Sequence, residues 1–407
     1  MDSKSGTLST GQLVIATVVG SALIFATYNE KQRIKKWIVD RRGNRRNFRV
    51  PPALRKGDKV AVLACSSGVA AVFPWVRDQG LKRLREEFGL VPVTYPSMEK
   101  VNSTPEERAA EINNAFADPG IKGIICSIGG DDLNRVIKFV DEEVIRKNPK
   151  CLFGYSDITT LHLLMFKCGI VSYYGANLMA QFGMSGKMHD FTVQSITEAS
   201  MDRTMNKTLK PSDEFLDGYL EWGNKGNLTK IAEMEKNELG WIWYTWDEER
   251  SSTSAPPGII KGRLFGGCVS TLYKNLGIGR YVPLYGEITG AILFIETSET
   301  MPHSSTVYDF LATLGELEIL QQFRAILVGR PKTHDRGLIP PIGRIGYQVE
   351  QQNVVIRAVK EYCSHENLPV CVFNLDFGHT DPQTIVPCGG MATLNPSKRE
   401  IIFDYQN

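Results

Sequence analysis

Cysteine is scarce in this 407-residue chain, and charge of either sign is in little excess. The eight cysteines are Cys65, Cys126, Cys151, Cys168, Cys268, Cys363, Cys371 and Cys388, with no C-x-x-C pair among them. That density excludes a disulfide scaffold, and their Val, Ile and Leu neighbours fit buried free thiols in a reducing compartment. Lys plus Arg number 47 against 45 Asp plus Glu, a formal net charge of +2. A dedicated nucleic-acid binder would need a basic excess for its phosphate contacts, so no nucleic-acid partner is expected. Also missing are H-E-x-x-H, G-x-x-x-x-G-K-[ST] and a dinucleotide fingerprint. Zinc proteases, P-loop enzymes and Rossmann dehydrogenases lose support accordingly. No internal repeat is visible. The 42% hydrophobic and 23% charged residues that remain are ordinary globular composition, with chain enough for two or three domains.

The first fifty residues read as a separate device. No charged residue lies between Lys4 and Glu30, and residues 13–28 run LVIATVVGSALIFATY. Counted from Gly11, the stretch 11–28 is just long enough to span a bilayer as a helix. Lys4 is the only positive residue before it, whereas nine Lys/Arg follow between Lys31 and Arg49. A secretory signal wants the opposite arrangement, so the expectation is an uncleaved single-pass anchor over 1–50, with the rest of the chain on the cytosolic side. A mitochondrial membrane is the alternative address. The basic flank fits anionic headgroups.

From residue 51 the pattern is that of a two-domain α/β protein. Residues 59–65 (KVAVLAC) are a short apolar run closed by Ser66-Ser67-Gly68, residues 123–128 (GIICSI) run into Gly129-Gly130, and residues 151–154 (CLFG) run into Tyr155-Ser156-Asp157. Helical spacing follows each run: residues 76–88, a start at Thr104-Pro105-Glu106-Glu107, residues 133–143 and residues 158–166. Strand, loop, helix repeated in this way predicts a parallel sheet with functional loops at its carboxyl edge. Residues 51–180 would form this domain. Residues 181–260 are less regular and read as a connector or lid, carrying the run Gly240-Trp241-Ile242-Trp243-Tyr244-Thr245-Trp246. Residues 261–407 resume α/β alternation, with strands predicted at 290–296, 325–329 and 370–376.

Three residues stand where catalysis would need them. Ser156 falls between a strand and a helix, which lifts a hydroxyl above the sheet edge and aims backbone N–H groups at the same point; the alternative is a simple helix cap. His379 ends an apolar strand inside Gly-His-Thr and suits a general base, while His162 reads as structural. Glu296 closes the run ILFIE, where a carboxylate is costly unless paired, and orienting a histidine would supply the partner. Glu299 is its local competitor. Gly129-Gly130 allows a close backbone approach, either as an oxyanion site or as a tight turn.

The segments PPALRKGDKVAVLACSSG, STPEERAAEINNAFADPGIKGIICSIGGDD, GYSD, YYGAN, GRLFGGC, FIETSE and FGHT, in that order over residues 51–395, resemble the LD-carboxypeptidase family of serine peptidases. IGGDD, GWIW and FIETSE bring the resemblance nearer to its branch related to the microcin C self-immunity peptidase. The resemblance implies Ser156 as nucleophile, His379 as base and Glu296 as its orienter, with an oxyanion hole at the backbone amides of Gly130 and Asp157. It further implies a homodimer, no metal or other cofactor, and an amide substrate. That substrate is a short peptide or an aminoacyl-nucleotide conjugate, and in the second case Trp241, Trp243 or Trp246 would stack the base. A membrane-tethered protein that binds in the same cleft without turnover is the alternative of another class.

Overall fold

Apolar runs of four to six residues, each followed by a glycine- or serine-containing turn and a helix, are what a parallel sheet covered on both faces requires. The computed structural model describes residues 47–203, 207–246, 258–283, 285–335 and 337–406. The expected anchor at 11–28 lies outside the described residues; among those described, no helix is long and apolar enough to cross a membrane.

The first sheet takes its strands from β1 (Lys59–Leu63), β2 (Val91–Thr94), β3 (Ile121–Cys126), β4 (Cys151–Gly154) and β5 (Ser172–Tyr174), all parallel. Helices α1 (Pro74–Glu86), α2 (Pro105–Ala117) and α3 (Thr159–Lys167) accompany them. The expected start of α2 is a complete capping box: Glu107 N–H donates to Thr104 Oγ1 at 3.2 Å, and Thr104 N–H donates to Glu107 Oε2 at 2.8 Å. The helix expected over 133–143 is instead two short pieces. It breaks at Val140 because Asp141 caps a new turn, accepting the N–H groups of Glu143 and Val144. A further helix, α4 (Asp190–Ser200), follows the sheet.

Residues 181–260 contribute strands as well as loops: β6 (Lys207–Thr208), the paired β7 (Glu214–Phe215) and β8 (Glu235–Lys236), and β9 (Ile242–Tyr244). The second sheet centres on four parallel strands, β10 (Ile260–Cys268), β11 (Ile292–Glu296), β12 (Ala325–Gly329) and β13 (Val370–Leu375). Helices α5 (Val269–Gly277), α6 (Ser304–Glu316) and α7 (Arg344–Tyr362) belong to this half. Beyond β10 lie the antiparallel β15 (Met391–Asn395), β16 (Glu400–Asp404) and β6; β9 pairs antiparallel with β13 at the other edge. The tryptophan-rich run is thus an edge strand of the second sheet. A second departure from the expected boundaries is β14 (Val386–Cys388), which leaves the carboxyl-terminal half and pairs with β5 to complete the first sheet.

The elements around β10 are tightly packed. At Gly266 in β10 (φ 154°), an added Cβ would sit 1.7 Å from the carbonyl oxygen of Phe294. At Gly267 it would meet the Thr159 side chain at 2.5 Å, so the GRLFGGC strand lies directly against the amino-terminal turn of α3. Thr159 Oγ1 accepts the Cys268 N–H at 3.0 Å, and Asn275 Nδ2 donates to Thr160 Oγ1 at 3.0 Å. Gly266→Ala must push β10 and β11 apart, and we expect it to cost about 3 kcal/mol or more. Denaturant unfolding of the variant checks this; an unchanged midpoint would mean the two strands are not held at this spacing.

Candidate active site

Ser156 lies one residue beyond β4, after Tyr155, and opens a single 3₁₀ turn before α3. Its φ of 66° is left-handed, an unfavourable conformation for a residue with a side chain, and one that turns the hydroxyl out of the sheet. The surroundings enforce it. His162 on α3 hydrogen-bonds the Gly154 carbonyl through Nε2 at 2.8 Å and Ser172 Oγ through Nδ1 at 2.7 Å, which locks the end of β4. Burial keeps this ring neutral, its pKa pulled down to about 4. Gly129 has to be glycine here, since a Cβ would lie 2.8 Å from that of Ser156 and 2.9 Å from its Oγ.

The two expected oxyanion amides are held by one buried carboxylate. Asp157 Oδ2 accepts Ser66 Oγ–H at 2.6 Å and Leu133 N–H at 2.9 Å, and Ser66 Oγ in turn accepts Asp132 N–H at 3.2 Å. This ties the Gly129-Gly130 loop to the serine turn, with burial raising the Asp157 pKa against those hydrogen bonds. Asp157 N–H lies in a first helical turn, where amides have no intrahelical acceptor. Ser156 N–H is differently placed, because it donates to Tyr174 Oη at 3.2 Å.

Tyr174, at the end of β5, links the halves of the site. Its hydroxyl donates to Glu296 Oε1 at 2.6 Å, and Glu296 Oε2 lies 2.6 Å from His379 Nδ1. Glu296 ends β11 and is 1% exposed. The other ring nitrogen, His379 Nε2, lies 3.1 Å from Glu299 Oε2. Burial alone would lower the His379 pKa; the two carboxylates outweigh it and raise it to about 9. Burial likewise opposes ionisation of Glu299, yet the imidazolium beside it brings that carboxyl down to about 2. The histidine loop is fixed by Gln383, whose Nε2 donates to the Gly378 carbonyl and whose Oε1 accepts Ala176 N–H at 2.8 Å.

Ser156, Gly129, Gly130, Tyr155, Glu299 and His379 all line one cavity of about 550 Å³, a size suited to a small-molecule ligand. Its far wall comes from residues 216–223: Trp222 stacks on Tyr219 with ring centroids 5.4 Å apart and planes 20° apart, and Phe73 packs edge-on to Trp222. Lys332, 1% exposed, lies over the Tyr219 ring and is, besides His379, a buried cation of the lining.

Trp241, Trp243 and Trp246 are not part of that lining. Trp246 is buried, its Nε1 donating to the Pro369 carbonyl at 2.7 Å, and Trp243 sits on β9 opposite Val372. Trp241 Nε1 donates at 2.9 Å to Asp376, which also holds Arg330 at 2.8 Å and Ser212 Oγ at 2.6 Å. That network braces the end of β13, three residues before His379.

Trp222, Tyr219, Tyr174 and Lys332 were not singled out from sequence. Tyr174 stands within the YYGAN segment, and Trp222 within an irregular stretch with no periodicity to mark it. In NMR of the full chain, the His379 ring should titrate near pH 9, the value its two carboxylate partners impose. Glu296→Gln should lower that midpoint by about one unit or more. A midpoint at the ordinary histidine value would show that neither carboxylate engages the ring.

Residues 60–175 match the LD-carboxypeptidase N-terminal domain and residues 261–394 its C-terminal domain. A protein of Bacillus subtilis strain 168 named "Probable murein peptide carboxypeptidase" is 25% identical over 367 residues, covering 87% of this chain and 94% of the relative. The microcin C7 self-immunity protein MccF of Escherichia coli is 26% identical over 307 residues, covering 75% of this chain and 80% of that protein. A solved structure of MccF in complex with aspartyl sulfamoyl adenosine superposes with a TM-score of 0.72 at 24% identity, covering 87% of this chain and 97% of that one, a likeness of fold. Because both halves of the domain pair are matched in order, with the serine turn in the first and the glutamate and histidine in the second, this chain belongs to the LD-carboxypeptidase family and is a serine carboxypeptidase-like hydrolase.

Proposed function

We propose that the chain hydrolyses an amide bond through an acyl-enzyme on Ser156. The observation that carries this is the buried Glu296 carboxylate, which joins Tyr174 to His379 beside a serine held in a left-handed turn. Ser156 Oγ attacks the carbonyl carbon while its proton passes to His379 Nε2. The negative oxygen is received by the amides of Gly130 and Asp157. The C–N bond breaks as His379 returns the proton to the leaving amine, and water, activated by the same nitrogen, then releases the acyl group. Glu296 holds Nδ1–H and so fixes which nitrogen does the proton transfer.

The stacked Trp222–Tyr219 wall favours a leaving group with a flat ring, as in an aminoacyl-nucleotide conjugate. A short peptide with a free carboxyl terminus is the second reading, favoured by the buried Lys332 cation. The expected anchor would hold this activity at a membrane on its cytosolic face, and pairing of two chains is part of the same proposal.

The test sets the wild type against folded Ser156→Ala on an aminoacyl sulfamoyl adenosine and on an L,D-linked peptide. Serine-dependent cleavage of the adenosine conjugate is expected, with a loss of about 10⁴-fold or more in the variant. Full activity in Ser156→Ala would refute the mechanism. Trp222→Ala should raise KM for the conjugate by about 10- to 100-fold, the range of one lost base stack. Trp246→Ala should instead lower stability by about 3–5 kcal/mol as a core deletion. Cleavage of the peptide alone, with KM indifferent to Trp222, would select the carboxypeptidase reading.

A further inference from the structure

The resting geometry poses a problem for a general base. Both nitrogens of His379 face carboxylate oxygens, Nδ1 at 2.6 Å from Glu296 and Nε2 at 3.1 Å from Glu299. A ring so placed carries a proton on each nitrogen, and an imidazolium cannot accept another. Among the described residues, the Ser156 Oγ makes no hydrogen bond in this arrangement. Glu299 therefore occupies the nitrogen that the serine needs.

The two carboxylates differ in a way that matters. Glu296 is sealed at the end of β11, while the Glu299 side chain is 39% exposed and forms part of the cavity wall. Glu299 can therefore be reached by a ligand, and what displaces an imidazolium from a carboxylate is another cation. The other groups around the ring are Tyr155, edge-on at 5.0 Å, Asp381, which accepts from Gln181 Nε2 at 3.1 Å, and Lys332, which helps keep Glu299 ionised. An ammonium group on the carbon next to the scissile carbonyl lies two bonds from the atom that Ser156 attacks. Glu299 is one hydrogen bond from His379 and lines the same cavity as Ser156, the side from which such an ammonium would enter.

We infer that Glu299 is a specificity-determining residue for acyl groups with a free ammonium next to the scissile carbonyl. The ammonium takes over the Glu299 carboxylate, and His379 releases its second proton to solvent and turns Nε2 to Ser156. An N-acylated substrate has no cation to make this exchange and meets a base that is still protonated. The inference rests on the hydrolase reading and adds the chemistry of the acyl side.

The test needs no knowledge of the natural substrate. Diphenyl 1-aminoethylphosphonate and its N-acetyl derivative both phosphonylate an active serine, forming Oγ–P as phenol leaves, and differ only in the ammonium. With the full wild-type chain near neutral pH, the free amine should label Ser156 about tenfold faster or more, the worth of one charge-assisted hydrogen bond. Glu299→Gln, matched in shape, should treat the pair alike within about threefold and react with the acetylated probe faster than wild type does. Glu299→Asp should restore a preference for the amine. Equal rates in the wild type, or a preference kept by Glu299→Gln, would overturn the inference while labelling by a fluorophosphonate left the hydrolase reading standing. Failure of all three probes to label Ser156 would remove that reading, and this one with it.

Discussion

A carboxylate sealed in a protein interior is tolerated only where donors meet it, and Glu296 is met from two sides. Tyr174 reaches it from the first sheet, and His379 from the loop after the last parallel strand of the second. Breaking either contact leaves a buried charge partly unpaired, which costs several kcal/mol. The packing serves the same point: Cys268 stands beside Glu296 in the β10–β11 register, and Cys268 N–H is bonded by Thr159, three residues after Ser156. The placement of Ser156 relative to Glu296 and His379 is thereby set by backbone and by short side chains. Glycines at 129, 266 and 267 are required because the elements approach too closely for any Cβ.

Much of this was legible in sequence because it depends on burial and on turn chemistry. Four-residue to six-residue apolar runs ending in small residues became parallel strands, and the Thr104 cap began a helix where it should. Glu296 stood out because an acid at the end of ILFIE has to be paired. What escaped were features set by tertiary contact. The Trp241–Trp246 run is aromatic and alternating, which suits a sheet edge as well as a binding surface, and only the pairing of β9 with β13 decides between them. Trp222 lies in a segment whose conformation comes from packing against Phe73 and Trp75, far away in sequence. The return of β14 to the first sheet pairs residues more than two hundred positions apart, beyond any local pattern.

The two histidines near Ser156 show how the site couples proton binding to cohesion. His162 is buried neutral, with its pKa lowered to about 4, so its contribution to stability is present above its unfolded value of 6.5 and is lost as pH falls toward 4. His379 has its pKa raised to about 9, so its contribution is full below 6.5 and is lost as pH climbs through 9. One clamps the serine turn and the other clamps the glutamate, and their ranges overlap around neutrality. In its proposed role as base, His379 is useful only when deprotonated, yet that is the form its carboxylates hold least tightly. The free site thus favours the state that coheres over the state that reacts. On the exchange proposed above, a ligand cation would replace the imidazolium beside Glu299 and leave Glu296 to orient a neutral ring. Binding energy is then spent on preparing the base, so a molecule that merely fits the cavity is not thereby a substrate.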